Sequence, residues 1–223
     1  NLNMENKVKF YQAGTSEMFG RTKDKFQNEK TTFYPASPYG ASKLFAHWIT
    51  INYRESYGIF ACNGILFNHE SPRRGETFIT RKITIGLAKI LNGKMKTLEV
   101  GNLNSMRDWG HAREYAEMQW LMLQSKLAKD YVISTGKQYT IKNFIDICFK
   151  YLGLKVKWKG NGISKRAIAS TTSKKYKIKK DQIIIKVSKK YFRPTEVNNL
   201  LGDSSKAKRE LGWKNKTTIN TLI

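Results

Sequence analysis

The chain has 223 residues, with 41 Lys and Arg against 17 Asp and Glu and a formal net charge of +24. Its 5 Trp, 11 Tyr and 11 Phe, within 40% apolar residues, supply ample volume for a packed core and argue against global disorder. Two cysteines, Cys62 and Cys148, each inside an apolar run, exclude a disulfide framework and a clustered metal site, and no run approaches the roughly 18 apolar residues of a membrane span.

The charge by itself suggests phosphate contacts and a nucleic-acid partner. Most of the basic residues are Lys, however, and they are spread along the chain, densest from Lys155 to Lys190. A general bias toward Lys, Asn and Ile accounts for the charge equally well, so no specific nucleic acid is expected as a partner. The polar start, NLNMENKVKF, has no secretory pattern, and neither a membrane association nor an export route is expected; the cytoplasm is the expected compartment.

Taken in order, residues 7–13 (KVKFYQA) alternate and read as a strand, followed by a polar bend, GTSEMFG. Residues 21–38 are polar, carry Pro35 and Pro38, and suit a surface loop. Helical spacing of Leu44, Trp48 and Ile51 predicts a helix from Pro38 or Tyr39 to Gly58. Residues 59–67 (IFACNGILF) form a continuous apolar run of strand length, as in a strand buried on both faces of a parallel sheet. Strand, loop, helix, strand is a crossover unit of the α/β kind.

Beyond it, NHESPRRGE reads as a loop and 77–92 as a helix ending at Gly93. LEVGN reads as a short strand, NSMRDWGH as a loop and 112–127 as a helix. YVIST is strand-like, and a helix capped by Thr140 ends at Gly153. Residues 155–158 can form a strand, 160–182 are weakly patterned, and IIIKV is strand-like. A short helix capped by Asp203 or Ser204 comes near the end.

Two groups can carry chemistry. Tyr39 and Lys43 lie four apart at the start of one helix and so share a face. An ammonium and a helix N-terminus both stabilise negative charge on the tyrosine oxygen, which suits proton exchange with a hydroxyl. By itself the pair also fits an aromatic ring packed on a lysine stem. Thr15, Ser16 and Glu17 follow the end of the first strand, where ligands bind in open α/β sheets. Glu17 suits a general acid or base there and Thr15 a hydroxyl donor, although an ordinary polar turn has the same composition.

The strings VKFYQAGTSEMFG, FYPASPYGASKLFAHWITINYRESYGIFACNGILFNHESPRRGETFITRKIT, VGNLNSMRDWGHAREYAEMQWLMLQ and YFRPTEVNNLLGDSSKAKRELGW together resemble the GDP-mannose 4,6-dehydratases of the short-chain dehydrogenase/reductase class. The resemblance covers roughly residues 7–153 and 183–213. It implies an α/β fold: a partial Rossmann-type parallel sheet (residues 1–67 and 106–135) with a smaller C-terminal substrate-binding domain (68–105 and 136–223). It implies NADP as cofactor and GDP-mannose as substrate. Carried over by position, Thr15, Glu17, Tyr39 and Lys43 match the catalytic residues. Tyr39, Lys43, His69 and Arg74 match residues near the cofactor, and Asn68, Lys82, Arg107, Arg193 and Glu196 the region that holds the GDP-sugar. For Arg107, a surface ion pair is the plain alternative.

The reaction so implied is oxidation at carbon 4, loss of water across carbons 5 and 6, and return of the same hydride to carbon 6. Gly14 and Phe19 depart from the family's usual serine and tyrosine. A larger departure concerns the front of the chain. No G-x-G-x-x-G turn occurs in these residues, whereas the family places its glycine fingerprint ahead of VKFYQA. The resemblance therefore implies an incomplete chain that works as a homo-oligomer when complete, or with a complementing N-terminal segment. The other readings are a catalytically inactive relative serving as an interaction module, and a different nucleotide-sugar dehydratase or epimerase.

Overall fold

The computed structural model describes residues 4, 5, 7–173, 175–192, 197 and 199–223. Strand β1 (Phe10–Ala13) runs into a short 3-10 turn at Ser16–Met18, and helix α1 spans Pro38–Tyr57. The expected start of α1 is explained by its first residues. Ser37 is extended and its side chain accepts from the Gly40 N–H, while Pro38 has no N–H to leave unpaired. Gly58 closes the helix in the left-handed region, with φ of 64°. Strand β2 (Ala61–Leu66) is buried at every residue, as its apolar run predicts.

Next come β3 (Asn68–Glu70), α2 (Ile79–Leu91), β4 (Leu98–Val100), β5 (Met106–Arg107), β6 (Trp109–His111) and α3 (Ala112–Gln124). The remainder is β7 (Tyr131–Ile133), β8 (Tyr139–Thr140), α4 (Ile141–Tyr151), β9 (Val156–Lys159), β10 (Arg166–Ala169), β11 (Ile183–Val187), α5 (Ser205–Leu211) and α6 (Ile219–Leu222). A parallel three-stranded sheet in the order β1-β2-β7 forms one layer. Its register sets Ala13 beside Gly64 and Gly64 beside Tyr131. A second, mixed sheet has the order β4-β11-β10-β9. This is the α/β Rossmann-type architecture expected.

The cores follow the two sheets. Cys62, Tyr115, Met118, Met122 and Ile133 pack on one side of the parallel sheet, and Phe19, Ile65, Phe67 and Val132 form another cluster against it. A third and larger cluster joins α2 and α4 to the mixed sheet through Ile83, Leu87, Phe144, Ile145 and Ile185. Both cysteines are buried free thiols. Among the described residues no helix is long and apolar enough to cross a membrane.

Several expectations need correction. The first strand is shorter than 7–13, because its pairing with β2 begins only at Phe10↔Ala61. NSMRDWGH is not a loop: Met106–Arg107 pairs with Tyr139–Thr140, and Trp109–His111 pairs with β3, which itself begins inside the supposed loop NHESPRRGE. Residues 160–182 contain β10, the strand between β9 and β11. Nor is 21–38 a free surface loop. Gln27 is fully buried, donates its N–H to the Leu201 carbonyl and accepts through its own carbonyl from the Asp203 N–H. That pairing fastens the segment leading to α1 onto the C-terminal part of the chain.

Candidate functional site

The end of β1 collects the four expected catalytic residues. Thr15 is buried and caps the following turn, its side chain accepting from the Glu17 N–H at 3.3 Å. Glu17 is half-buried in the turn itself. Lys43, one turn into α1 from Tyr39, donates its Nζ to the Ala13 carbonyl at 2.9 Å, the last residue of β1. The same Nζ lies 5.9 Å from the centre of the Tyr39 ring. The first turn of α1 can approach the 3-10 turn because residue 40 is glycine: a Cβ there would sit 2.8 Å from the Glu17 carbonyl oxygen. Tyr39 is 55% exposed, so its hydroxyl end is open to a ligand. Phe19 stacks on Phe33 at 5.1 Å in full burial, which leaves no need for a hydroxyl at that position.

An ammonium has three donors, and the Ala13 carbonyl takes one of Lys43's. The remaining donors, beside an exposed phenol, fit the ribose hydroxyls of a nicotinamide nucleotide. The pyrophosphate of such a cofactor needs a glycine-rich turn leading into a helix N-terminus, which these 223 residues do not contain. The chain's own residues therefore fit the nicotinamide end of the cofactor and leave its phosphates unheld.

The residues expected near the cofactor and substrate follow β2. His69 stacks on Tyr115 at 4.9 Å, and its Nδ1 lies 2.9 Å from the Phe67 carbonyl. A carbonyl only accepts, so Nδ1 carries the proton and Nε2 of the neutral ring is left as an acceptor. Burial pushes this histidine's pKa down, which keeps it neutral. Arg74 sits with its guanidinium 3.6 Å from the Phe78 ring centre and its Nε 3.2 Å from a Glu70 carboxylate oxygen. Asn68 pairs with Trp109 across β3 and β6, and its Oδ1 is buried without a partner. Lys82 places its Nζ 3.3 Å from the Tyr191 ring centre. Arg107 donates to the carbonyls of Met106 and Val197, both at 2.8 Å, which ties it to the C-terminal segment. Arg193 and Glu196 lie outside the described residues. The structure thus gathers Thr15, Glu17, Tyr39 and Lys43 at one strand end and distributes Asn68, His69, Arg74, Lys82 and Arg107 over β3, the turn that follows it, α2 and β5.

Sequence reasoning misses two buried carboxylates beside these residues. Glu70 accepts from Thr80 Oγ1 at 2.5 Å and pairs with Arg74, tying the loop to α2. Asp108 accepts from the Thr135 N–H, the Thr135 hydroxyl and the Gly136 N–H, all within 2.9 Å. Both lie inside strings quoted above, but single acids in or between strands of two or three residues carry no periodic signal. Burial pushes the Asp108 carboxyl from its ordinary 3.8 up to about 6, despite these hydrogen bonds. A raised folded value means a contribution fully present below 3.8 and lost as pH rises through about 6. Between pH 4 and 7 the wild-type chain should therefore lose, relative to Asp108→Asn, on the order of 2–3 kcal/mol. Urea denaturation of both proteins across that range checks this; parallel pH profiles would refute it.

With this geometry in view, the comparisons with known proteins take a definite form. The family model described as GDP-mannose 4,6 dehydratase matches residues 1–223. The chain belongs to the GDP-mannose 4,6-dehydratase family. The enzyme of that name from Vibrio cholerae serotype O1 is 53% identical over 224 residues, which is 100% of this chain and 60% of the relative. The Drosophila melanogaster GDP-mannose 4,6 dehydratase is 49% identical over 220 residues, covering 99% of the chain and 54% of the relative. The chain thus spans a little over half the length of these relatives. Solved structures give the same fold at low identity. A dTDP-glucose 4,6-dehydratase from Bacillus anthracis in complex with NAD superposes with a TM-score of 0.74 at 21% identity, over 96% of the chain and 59% of that structure. RMD from Pseudomonas aeruginosa complexed with NADPH gives 0.76 at 18% identity, over 96% and 63%.

Proposed function

We propose that this chain supplies the catalytic and substrate-binding part of a GDP-mannose 4,6-dehydratase that uses NADP. The observation that carries the reading is the grouping of Glu17 with Tyr39 and Lys43 at the end of β1. A tyrosine and lysine alone serve oxidation and reduction at a carbinol. A carboxylate next to them adds the acid and base that elimination needs.

A bound NADP would supply the hydride acceptor for carbon 4 of the sugar and the hydride returned at carbon 6. Tyr39 takes the proton of the 4-hydroxyl, with the Lys43 ammonium stabilising the charge on its oxygen. Thr15 orients the same hydroxyl. The ketone at carbon 4 acidifies carbon 5; Glu17 removes that proton and delivers one to the departing 6-hydroxyl, which leaves as water. As hydride returns to carbon 6, carbon 5 takes up a solvent proton, balancing the one that Tyr39 releases to solvent. Lys82 and Arg107 hold the diphosphate, whose charge a guanidinium meets with two donors. Residues 1–67 and 106–135 form the cofactor side of the molecule and 68–105 with 136–223 the substrate side. Phe45, Ile49 and Tyr53 are exposed at four-residue spacing along α1 and support a contact between subunits of a homo-oligomer.

The test is conversion of GDP-mannose by two proteins, the 223-residue chain and the same chain fused behind the N-terminal part of the Vibrio cholerae relative. The fusion should release GDP-4-dehydro-6-deoxymannose over many turnovers, and the chain alone should give none, because nothing in it holds the cofactor's pyrophosphate. A fusion that binds NADP yet converts dTDP- or UDP-glucose instead of GDP-mannose would overturn the substrate assignment.

A further inference from the structure

The mixed sheet β4-β11-β10-β9 has two faces of opposite character, and its register sorts them. Leu98, Ile185, Ala167 and Trp158 lie side by side across the four strands and pack into the core shared with α2 and α4. One residue along, Glu99, Lys186, Arg166 and Lys159 lie side by side in the same way. Successive residues of a strand point to opposite faces, so this second row stands on the outer face. Lys157, two residues before Lys159, joins it there. All four cations are exposed.

The outer row is unbalanced. Lys186 pairs with Glu99 at 2.7 Å, while Lys157, Lys159 and Arg166 make no ion pair among the described residues. Arg166 has Lys159 directly opposite on one side and Lys186 on the other, and like charges so placed destabilise a sheet. A general bias toward lysine does not account for this. Residues 155–190 hold 13 Lys and Arg against Asp181 alone, whereas the rest of the chain holds 28 against 16 Asp and Glu. A bias would act on both parts alike. Cations kept opposite one another at a cost to the fold point to an outside anion that is itself repetitive.

The chemistry of the face narrows the partner. A second copy of this chain would bring the same charge. Stable attachment to an anionic bilayer needs an inserted apolar group besides the charge, and none of the exposed large apolar side chains belongs to these four strands. Single-stranded nucleic acid draws much of its affinity from bases stacked on aromatic rings, and Trp158, the one ring on these strands, packs against the core. A duplex presents phosphates along its outside, one charge per about 1.7 Å of axis. Three strand spacings of about 4.8 Å set the row across several of them. We propose that the outer face of the mixed sheet binds the phosphate backbone of a nucleic-acid duplex, without choice of sequence, through Lys157, Lys159, Arg166 and Lys186. A flat sheet face has no element to enter a groove, so the bases are not read. The face belongs to the mixed sheet and not to the β1 end where Glu17 and Tyr39 lie, and it rests on no part of the dehydratase reading.

The 223-residue chain is titrated into two unrelated fluorescein-labelled DNA duplexes of about 20 base pairs, with anisotropy read from about 50 to 200 mM NaCl. Both duplexes should bind alike within about twofold, and log K should fall against log salt with a slope of about −3, from three unpaired cations at about 0.9 each. Lys157→Gln, Lys159→Gln and Arg166→Gln together should weaken binding at the lower salt by about 30-fold or more and remove most of the slope. The same number of charges removed elsewhere, by Lys23→Gln, Lys126→Gln and Lys208→Gln, should weaken it by no more than about threefold. All six positions are exposed, so both triple variants should keep the wild-type circular dichroism. Equal losses from the two triple variants, or a slope that the first leaves unchanged, would overturn the proposal. So would saturable binding to phosphatidylserine vesicles, lost in the first triple variant, by a chain that ignores both duplexes.

Discussion

Replacing Tyr39 by Phe should lower dehydratase turnover in the fused enzyme by about 10²–10⁴-fold while GDP-mannose binding stays within about twofold. The substitution removes one oxygen at a 55% exposed position, so neither packing nor stability should change. The ring that Lys43 approaches is retained, and Lys43 keeps its bond to the Ala13 carbonyl. What disappears is the group that takes the proton of the 4-hydroxyl. An effect confined to kcat, with KM little changed, marks an interaction made in the transition state only. Lys43→Met should lower turnover and weaken NADP binding as well, because the ammonium also stands where the ribose hydroxyls of the cofactor are expected. Calorimetry for binding and a coupled assay for turnover separate the cases. If Tyr39→Phe kept a tenth or more of wild-type kcat, Tyr39 would not be the proton acceptor.

The parts of this arrangement that were legible in the sequence are those with a local cause. Helix α1 announces both its ends, through Ser37 and Pro38 at the start and Gly58 at the finish. Strand β2 declares double burial through an apolar run broken only by Asn63, and Thr140 announces α4 through a capping box completed by Asn143. Strands β5, β6 and β8 are two or three residues long and exist because of their partners, so no periodicity within them can be read. Strand β10 is hidden for a related reason. Its inward residues are Ala167 and Ala169, too small to stand out among the lysines around them. The buried Gln27 was illegible because its partners, Leu201 and Asp203, lie at the far end of the chain. Tyr39 and Lys43 could be paired by spacing, and Glu17 placed by its position after β1. The contact between the two groups is a tertiary fact, made possible by Gly40, and the resemblance to the family rather than the spacing anticipated it.

Glu17→Gln separates dehydration from every simpler reaction of this fold. Oxidation at carbon 4 requires only Tyr39, Lys43 and the bound cofactor, so it should proceed in this variant. Elimination requires a base at carbon 5 and an acid at the 6-hydroxyl, and an amide can be neither. The 4-keto sugar with its 6-hydroxyl still in place should therefore accumulate to about one equivalent per active site, and overall turnover should fall by about 10²–10⁴-fold. Quenching with borodeuteride and measuring the mass of the reduced sugar detects that species. In D2O the wild type should incorporate deuterium at carbon 5 and the variant should not. Side-chain volume is conserved, and Glu17 holds the 3-10 turn through its backbone N–H to Thr15 rather than through its carboxylate, so the fold should be unaffected. An epimerase built on the same tyrosine and lysine would tolerate the change, because it returns hydride to the same carbon and eliminates nothing. Full turnover of GDP-mannose to the 6-deoxy product by Glu17→Gln would remove the residue from the reaction, and with it the observation on which the dehydratase reading rests.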